Sequence, residues 1–273
     1  MNQPRIQKIN SIDIAGQLCG VPLMVTPRMA EIIGGFSRSA SLLDLLEWDE
    51  PDKADPIDEI AVIDVFGGMA QRSWWRTSYE AIRADFRQAM ADPEAKAILL
   101  NLDTPGGTVA GCFDLADEIR AARDEKPVYA FVNEQATSAG YLLASGAREI
   151  FTPRTGMVGS IGVVMVHAEF SKMDERVGVK ISYIYAGDRK IDFNDAEPLS
   201  DEARASGQAS VDRAYDLFTK TVAVNRGLTV DTVRNTQAAI YEGGEAMEAG
   251  LIDGVMSFDS AVDYIQSKIK RRS

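Results

Sequence analysis

Ser138 is the residue whose surroundings are most typical of catalytic chemistry. It follows an apolar run at 128–132 and precedes a helical pattern at 139–145, in the segment Gln-Ala-Thr-Ser-Ala-Gly-Tyr that covers 135–141. A serine on a tight turn between a strand and a helix, flanked by small residues, can present its hydroxyl to a substrate carbonyl, as the nucleophile of other hydrolases does. A serine in front of a helix is also a common N-cap. The segment by itself allows both interpretations, and the N-cap is the more frequent one.

A second turn with chemical potential lies at 101–108 and contains two consecutive glycines. It reads Asn-Leu-Asp-Thr-Pro-Gly-Gly-Thr and stands where an apolar run ends and a helical pattern begins. Pro105 fixes its own φ angle, and glycine adopts backbone conformations that are closed to other residues. Free backbone amides at such a turn can stabilise the negative charge of a tetrahedral intermediate. Gly106 and Gly107 are therefore candidate oxyanion donors, and the alternative is a plain strand-to-helix turn.

A nucleophilic serine needs a general base, and the sequence offers two candidates. His167 is the only histidine, and it ends a predicted strand, so a Ser/His pair remains open. A lysine can also act as base where burial lowers its pKa. Lowering the pKa of a lysine from ~10.4 to near 7 costs about 4 to 5 kcal/mol, so the site must be sheltered. Lys190, in the turn Gly-Asp-Arg-Lys-Ile-Asp at 187–192, is this candidate, and its alternative role is an exposed loop lysine paired with a neighbouring aspartate.

Short apolar runs that alternate with helical patterns predict the elements that position these residues. Runs that are apolar on both faces are typical of a buried, largely parallel sheet, and the helical patterns between them are typical of crossovers. This alternation predicts an α/β domain with additional helices at its C-terminal end. The predicted strands are 60–65, 97–102, 128–132, 149–152, 161–166 and 180–185, and the predicted helices are 78–91, 109–123, 139–145, 168–176, 200–225, 230–236, 244–249 and 259–270.

The first 56 residues differ from the rest of the chain. Their apolar patches show no sustained period, and they end in Asp-Glu-Pro-Asp-Lys-Ala-Asp-Pro at 49–56. Two prolines and four carboxylates in eight residues favour an exposed connector, because proline interrupts both helices and sheets. We therefore predict an N-terminal extension and linker over 1–56 and one main domain over 57–273.

Composition and charge exclude several classes of function. The chain has 273 residues, 45% of them hydrophobic, and a net charge of −12, which would repel a nucleic-acid backbone. Cys19 and Cys112 are too few for a disulfide framework, and a single histidine excludes multi-histidine metal sites. No segment approaches the roughly 18 apolar residues of a membrane span, and no signal peptide is evident. We expect a cytoplasmic protein without metal, cofactor or nucleic-acid partner.

Taken together and in this order, the motifs resemble the signal peptide peptidase A (SppA) family of the ClpP/crotonase superfamily. The resemblance runs from about residue 60 to the C-terminus. The matching segments are Asp-Thr-Pro-Gly-Gly at 103–107, Thr-Ser-Ala-Gly-Tyr at 137–141, Thr-Gly-Met-Val-Gly-Ser-Ile-Gly-Val at 155–163, the Gly-x-x-Lys block at 187–190, and Tyr-Glu-Gly-Gly-Glu-Ala-Met-Glu-Ala-Gly-Leu-Ile-Asp at 241–253. Each piece is a weak signal and the combination is specific.

The resemblance implies a ClpP/crotonase-like core and assigns roles to individual residues. Ser138 becomes the nucleophile and Lys190 the general base. The implied oxyanion donors are the amides of Gly106, Gly107 and Ala139, with Ser160 as a supporting residue. Two departures from the family pattern stand out, namely Ala139 in place of a glycine, and Ile-Asp-Phe-Asn after Lys190 in place of Asp-Ile-Gly-Ser.

The resemblance also implies a function, a serine endopeptidase that cleaves peptide bonds through an acyl-enzyme. A form without a membrane anchor is similar to the prohead peptidases of tailed bacteriophages, which implies capsid or scaffold proteins as substrates, in the host cytoplasm or the prohead. Family members form homo-oligomeric rings in which serine and lysine can come from neighbouring subunits. The alternatives are a cellular housekeeping peptidase, a Ser/His peptidase using His167, a crotonase-type acyl-CoA enzyme, and a catalytically silent scaffold.

Overall fold

The computed structural model describes residues 21–26, 56–72 and 77–271. The strands are β1 (Leu23–Val25), β2 (Ile60–Phe66), β3 (Ala97–Thr104), β4 (Gly106–Thr108), β5 (Val128–Thr137), β6 (Glu149–Thr152), β7 (Met157–Gly159), β8 (Ile240–Glu242) and β9 (Gly254–Val255). The helices are α1 (Tyr79–Ala91), α2 (Cys112–Ala122), α3 (Ala139–Gly146), α4 (Ser171–Arg176), α5 (Asp201–Arg226), α6 (Val230–Asn235), α7 (Gly243–Glu248) and α8 (Phe258–Lys270).

The main sheet is largely parallel, as predicted. Its strand order is β2-β3-β5-β6-β9, with every neighbouring pair parallel. β7 extends the sheet beside the end of β5, and β8 pairs with β7 in the antiparallel direction. Strands β1 and β4 form a separate antiparallel pair. Helices connect successive parallel strands, so the predicted α/β class is confirmed.

The sheet is buried on both faces because alternate residues of a strand point to opposite sides. In β3, Ile98, Leu100 and Leu102 pack in one core with residues of α1, α2 and α3. Ala97 and Leu99 pack in a second core, with apolar residues of α8. This arrangement explains why the strands are continuous apolar runs in the sequence.

Two of the predicted strands are wrong. Residues 161–166 form no strand, and their only pairing with another described residue is an isolated bridge between Leu23 and Val164. Residues 180–185 have no strand partner in the part of the chain that the structure describes, and their side chains are exposed. β-Branched and aromatic residues favour extended backbone, but a strand forms only where a neighbouring strand completes its hydrogen bonds.

The described residues fall into two compact units. One contains 21–22 and 165–211, and the other contains 23–26, 56–72, 77–164 and 212–271. The second unit holds all nine strands of the described residues, including β1 from the predicted N-terminal extension. The domain boundary after residue 56 stays a prediction. Within these described ranges, no helix is both long enough and apolar enough to cross a bilayer.

Candidate active site

Ser138 occupies a strained turn between β5 and α3. Its φ is 56° and its ψ is −117°, a combination that non-glycine residues rarely adopt. The residue is fully buried, and its side chain makes no capping bond to the first turn of α3. Ser138 thus stands at the N-cap position of α3, but its side chain does not cap the helix. Backbone strain of this kind costs about 1 to 3 kcal/mol and recurs at functional sites, where it aims a side chain.

The pairing of β5 with β7 holds this turn. Thr137 lies opposite Gly159 in the parallel ladder, and the amide of Ser138 donates to the Gly159 carbonyl at 2.8 Å. The Ser138 carbonyl in turn accepts from the Leu142 amide at 3.0 Å, which begins the helix. The hydroxyl itself is weakly held, because Oγ lies 3.5 Å from the Gly162 carbonyl oxygen, at the limit of a hydrogen bond.

The structure brings the glycine turn against the serine. Gly106 has a φ of +111°, and a Cβ on it would lie 3.1 Å from Cβ of Ser138. A Cβ on Gly107 would lie 2.2 Å from the Met69 carbonyl oxygen, so neither position has room for a side chain. The two glycines are thus required by close backbone approach and not only by the turn.

Thr104 is the site residue that the sequence interpretation missed. It is fully buried, and its Oγ1 donates to the Gly67 carbonyl at 2.6 Å while accepting from the Gly106 amide at 3.1 Å. The same side chain contacts α3, because a Cβ on Gly140 would lie 2.5 Å from its Cγ2. The sequence feature that could have identified Thr104 is its position directly before Pro-Gly-Gly. Thr104 positions the glycine turn relative to α3, the helix that follows Ser138.

Ser160, the predicted supporting residue, lies beside the Ser138 turn. It follows β7 directly and is buried, with a φ of 52°. Its amide donates to the Ala239 carbonyl, and its carbonyl accepts from the Gly162 amide, both at 2.8 Å. The backbone from Gly159 to Gly162 therefore forms one wall next to Ser138.

Lys190 and His167 both belong to the other unit. Lys190 is exposed in a turn closed by its amide and the Gly187 carbonyl at 2.9 Å, and the nearby Asp192 pairs with Arg189 instead. His167 is bound to backbone, since its Nε2 lies 2.8 Å from the Asn194 carbonyl oxygen. The pairing of either residue with Ser138 stays a prediction.

Burial raises the pKa of three titratable groups around the glycine turn. Burial, with a smaller contribution from Cys112, raises the pKa of Tyr79 well above its usual value, and its hydroxyl donates to the Thr108 carbonyl at 2.8 Å. Burial also raises the pKa of Cys112 to about 12. Asp103, next to the turn, has a pKa raised by burial and by the negative charge of Glu134. Backbone dipoles act strongly in such a low-dielectric site.

Two phage proteins are similar to this chain along much of its length. Capsid assembly protease C of Escherichia phage lambda is 35% identical over 281 residues, which cover 100% of this chain and 64% of the relative. Head-tail preconnector protein GP5 of Enterobacteria phage P21 is 38% identical over 219 residues, which cover 78% of this chain and 44% of the relative. The chain thus spans less than two thirds of the length of either relative.

More distant similarities extend the comparison to cellular proteins and to a solved structure. A putative signal peptide peptidase SppA of Enterococcus faecium is 27% identical, covering 71% of this chain and 57% of the relative. The solved structure of the 1510-N membrane-bound stomatin-specific protease shares the fold, with a TM-score of 0.50 and 18% identity, over 77% of this chain and 84% of that one. The sequence model of peptidase family S49 matches residues 120–271, more than half of the chain. The chain belongs to peptidase family S49.

Proposed function

We propose that the chain is a serine endopeptidase with Ser138 as its nucleophile. The observation that carries the proposal is the turn itself, where a buried serine with a φ of 56° does not cap the helix that it precedes. A strained serine whose hydroxyl makes only a weak bond, at 3.5 Å to the Gly162 carbonyl oxygen, is available for attack on a carbonyl. Membership of family S49 and the similarity to a phage capsid protease support the same assignment.

The proposed reaction proceeds through an acyl-enzyme. Ser138 Oγ attacks the peptide carbonyl carbon, its proton passes to the general base, and the bond to the leaving nitrogen breaks as that nitrogen takes the proton. Water then attacks the ester with the same base, which releases the acid and restores the serine. We assign the base to Lys190, whose amine must be neutral to accept a proton and must therefore be sheltered from water.

We assign the oxyanion donors to Gly107 and Ala139. The Gly106 amide already donates to Thr104 Oγ1 at 3.1 Å, so Gly106 shapes the turn without serving as a donor. The Ala139 amide is at the first position of α3, where amides have no partner inside the helix. Gly106 lies against Ser138, and Gly107 and Ala139 are the residues that follow these two in the chain. The Gly107 and Ala139 amides therefore lie on either side of this close contact. Ser160 supports this arrangement through the wall that it forms beside the nucleophile.

We further propose that the active form is a homo-oligomer, of ring type, and that its substrates are capsid or scaffold proteins. Lys190 is exposed in the chain by itself, and the adjacent stretch 177–185 exposes large apolar side chains, among them Val177 at 69% and Ile184 at 102%. A neighbouring copy that covers this stretch would bury the apolar surface and shelter the lysine together. The substrate class rests on the printed names of the two phage relatives.

The decisive experiment compares the wild type with Ser138→Ala and Lys190→Ala, using cleavage of an unfolded protein and of a short apolar peptide between pH 6 and 10. Lys180→Ala, which removes another exposed lysine of the same unit, is the matched control. Both site variants should lose at least about a thousandfold in kcat/KM while the control keeps it, and wild-type activity should rise with pH.

The other outcomes separate the alternatives. Full activity in Lys190→Ala together with loss in His167→Ala would move the base to His167. A wild type that is inactive in every state of assembly, measured by size-exclusion chromatography with light scattering, would favour a catalytically silent scaffold. Circular dichroism must show that each variant remains folded.

A further inference from the structure

Strand β1 lies in a slot beside the nucleophile and is paired along both of its edges. On one edge it runs antiparallel to the glycine turn in β4, with Leu23 opposite Thr108, Met24 opposite Gly107 and Val25 opposite Gly106. On the other edge, the amide and carbonyl of Leu23 bond to Val164 at 2.7 and 2.9 Å. The slot is thus bounded by the proposed oxyanion turn and by the segment that follows Ser160.

The carbonyl of Met24 faces the oxyanion turn. The amide and carbonyl of one strand residue point to the same side, and those of the next residue point to the other. Because Leu23 uses its groups on Val164, those of Met24 face β4. The point where Gly106 would carry a Cβ lies 2.1 Å from the Met24 carbonyl oxygen, 3.1 Å from the Met24 carbonyl carbon and 3.1 Å from Cβ of Ser138. A peptide carbonyl of the chain therefore adjoins the nucleophile.

This is the position that an extended peptide substrate must take. Peptides commonly bind by adding a strand to an exposed edge, where main-chain hydrogen bonds supply affinity. Here a peptide in the place of β1 would form main-chain hydrogen bonds with β4 on one edge and with Val164 on the other. It would also present a carbonyl to the proposed donor Gly107. Leu23 and Met24 are 1% and 0% exposed, so they fill the slot and leave it no space for a second strand.

We propose that β1 is an intramolecular pseudosubstrate that occupies the substrate cleft and must leave before a protein substrate binds. The assignment of the cleft rests on the proposed role of Ser138. The competing explanation is that β1 is a permanent part of the sheet edge, and the two differ in what happens when β1 is released.

The expected size of the inhibition follows from population arithmetic. A tethered segment competes at an effective concentration of about a millimolar, which is enough to hold a low-affinity strand in its slot. If about nine molecules in ten are closed, the apparent affinity for substrate falls about tenfold, because only the open fraction binds. Releasing β1 should recover that factor.

The first test is Met24→Asp, which places a carboxylate at a fully buried position opposite Gly107 and disfavours docking of β1. We expect kcat/KM for a short apolar peptide to rise about tenfold. Val21→Asp is the matched control, since Val21 is three residues away and exposed, and its kcat/KM should stay within about twofold of the wild type. A folded Met24→Asp protein with unchanged or lower kcat/KM would overturn the proposal.

A second variant covers the case in which a buried charge unfolds the protein. Leu23→Pro removes the amide that donates to Val164 without adding charge. It should give the same activation as Met24→Asp. Loss of cooperative thermal unfolding in both variants would show that β1 is structural, because a pseudosubstrate can leave without unfolding its host.

A third measurement does not depend on catalysis and so separates this proposal from the function of Ser138. Hydrogen exchange of residues 22–26 is measured in Ser138→Ala with and without a free synthetic peptide of sequence 20–28, at several times the effective concentration of about a millimolar. The peptide should displace β1 and speed exchange of the attached segment severalfold, whether or not Ser138 proves to be the nucleophile. Unchanged exchange at saturating peptide would contradict the pseudosubstrate.

Discussion

Asn225 Nδ2 donates to Ser145 Oγ at 2.9 Å, although the two residues are 80 positions apart. Both are buried, and Ser145 also donates to the Leu142 carbonyl at 2.7 Å within α3. The bond ties the long helix α5 to α3, the helix that begins directly after Ser138. A buried polar pair of this kind fixes one relative position of two helices, because any other position leaves its groups without partners.

We therefore predict that Asn225→Ala lowers the free energy of unfolding by about 1 to 3 kcal/mol, since it removes one partner of a buried pair and leaves a cavity. Urea denaturation provides the measurement. The double variant Asn225→Ala/Ser145→Ala should cost less than the sum of the two single variants. Strict additivity would contradict an interaction between the two side chains.

Arg226, the last residue of α5, forms an ion pair with Asp253. Its Nη1 lies 2.9 Å from Asp253 Oδ2, and the same carboxylate oxygen accepts from the Ile150 amide at 2.8 Å, where β6 begins. Arg226→Met should lower the free energy of unfolding by about 2 kcal/mol, because it leaves this carboxylate without its cation. Arg72→Met, at the exposed pair with Glu80, is the control, and it should change stability by less than about 0.5 kcal/mol. Equal effects in denaturant titrations would contradict this difference.

Gly106 should tolerate no side chain. Gly106→Ala places a Cβ 2.1 Å from the Met24 carbonyl oxygen at a φ of +111°, so both strain and a backbone clash oppose it. Gly227→Ala is the matched control, because Gly227 has a φ of +68° with nothing within 4 Å of its Cβ position. The control should cost about 1 kcal/mol, the price of the left-handed backbone alone, and keep full peptidase activity.

The Gly106 variant should lose more stability than the control and most of its activity, measured by thermal unfolding and by peptide cleavage. Activity within twofold of the wild type would show that the turn does not shape the site.

Cys112 should make stability fall at alkaline pH. Burial raises the pKa of its thiol to about 12 in the folded protein, whereas an unfolded cysteine has a pKa of about 8.5. As the pH rises, the Cys112 thiol therefore loses its proton in the unfolded state first. This deprotonation favours the unfolded state, so the contribution of this thiol to the free energy of unfolding is constant below about pH 8.5 and falls as the pH rises above that value. Between pH 8.5 and 10 the wild type should lose about 2 kcal/mol more than Cys112→Ala. Parallel curves from denaturant titrations at each pH would contradict this effect.

The same burial predicts that Cys112 reacts with iodoacetamide only after unfolding. At pH 8 about one thiol in ten thousand would be ionised, and the thiolate is the reactive form. Peptide mapping with and without urea identifies the labelled cysteine, and Cys19 is thereby distinguished. Labelling of Cys112 in the native protein would contradict its burial.

Local sequence patterns were sufficient to locate the interior strands and the two turns of the site. β2, β3, β5 and β6 begin at the predicted residues because runs that are apolar on both faces can only be buried within a sheet. The Pro-Gly-Gly turn was recognisable because proline fixes its φ angle and glycine adopts conformations that are closed to other residues. Ser138 was recognisable by its place between an apolar run and a helical pattern, among small residues. The α/β class followed from the alternation of these runs with helical patterns.

Tertiary structure decided which extended segments find partners. The patterns at 161–166 and 180–185 suit a strand, yet neither forms one with any described residue, whereas β1 and β7, both short and unpredicted, pair beside the Ser138 turn. The same holds for the hydroxyls of Ser138 and Thr104, since only the folded chain shows that the first caps no helix and the second holds the Gly106 amide. Hydrogen-bond partners that are distant in sequence leave no local pattern, so residue types and spacing determine candidate positions, and the pairing of strands determines their use.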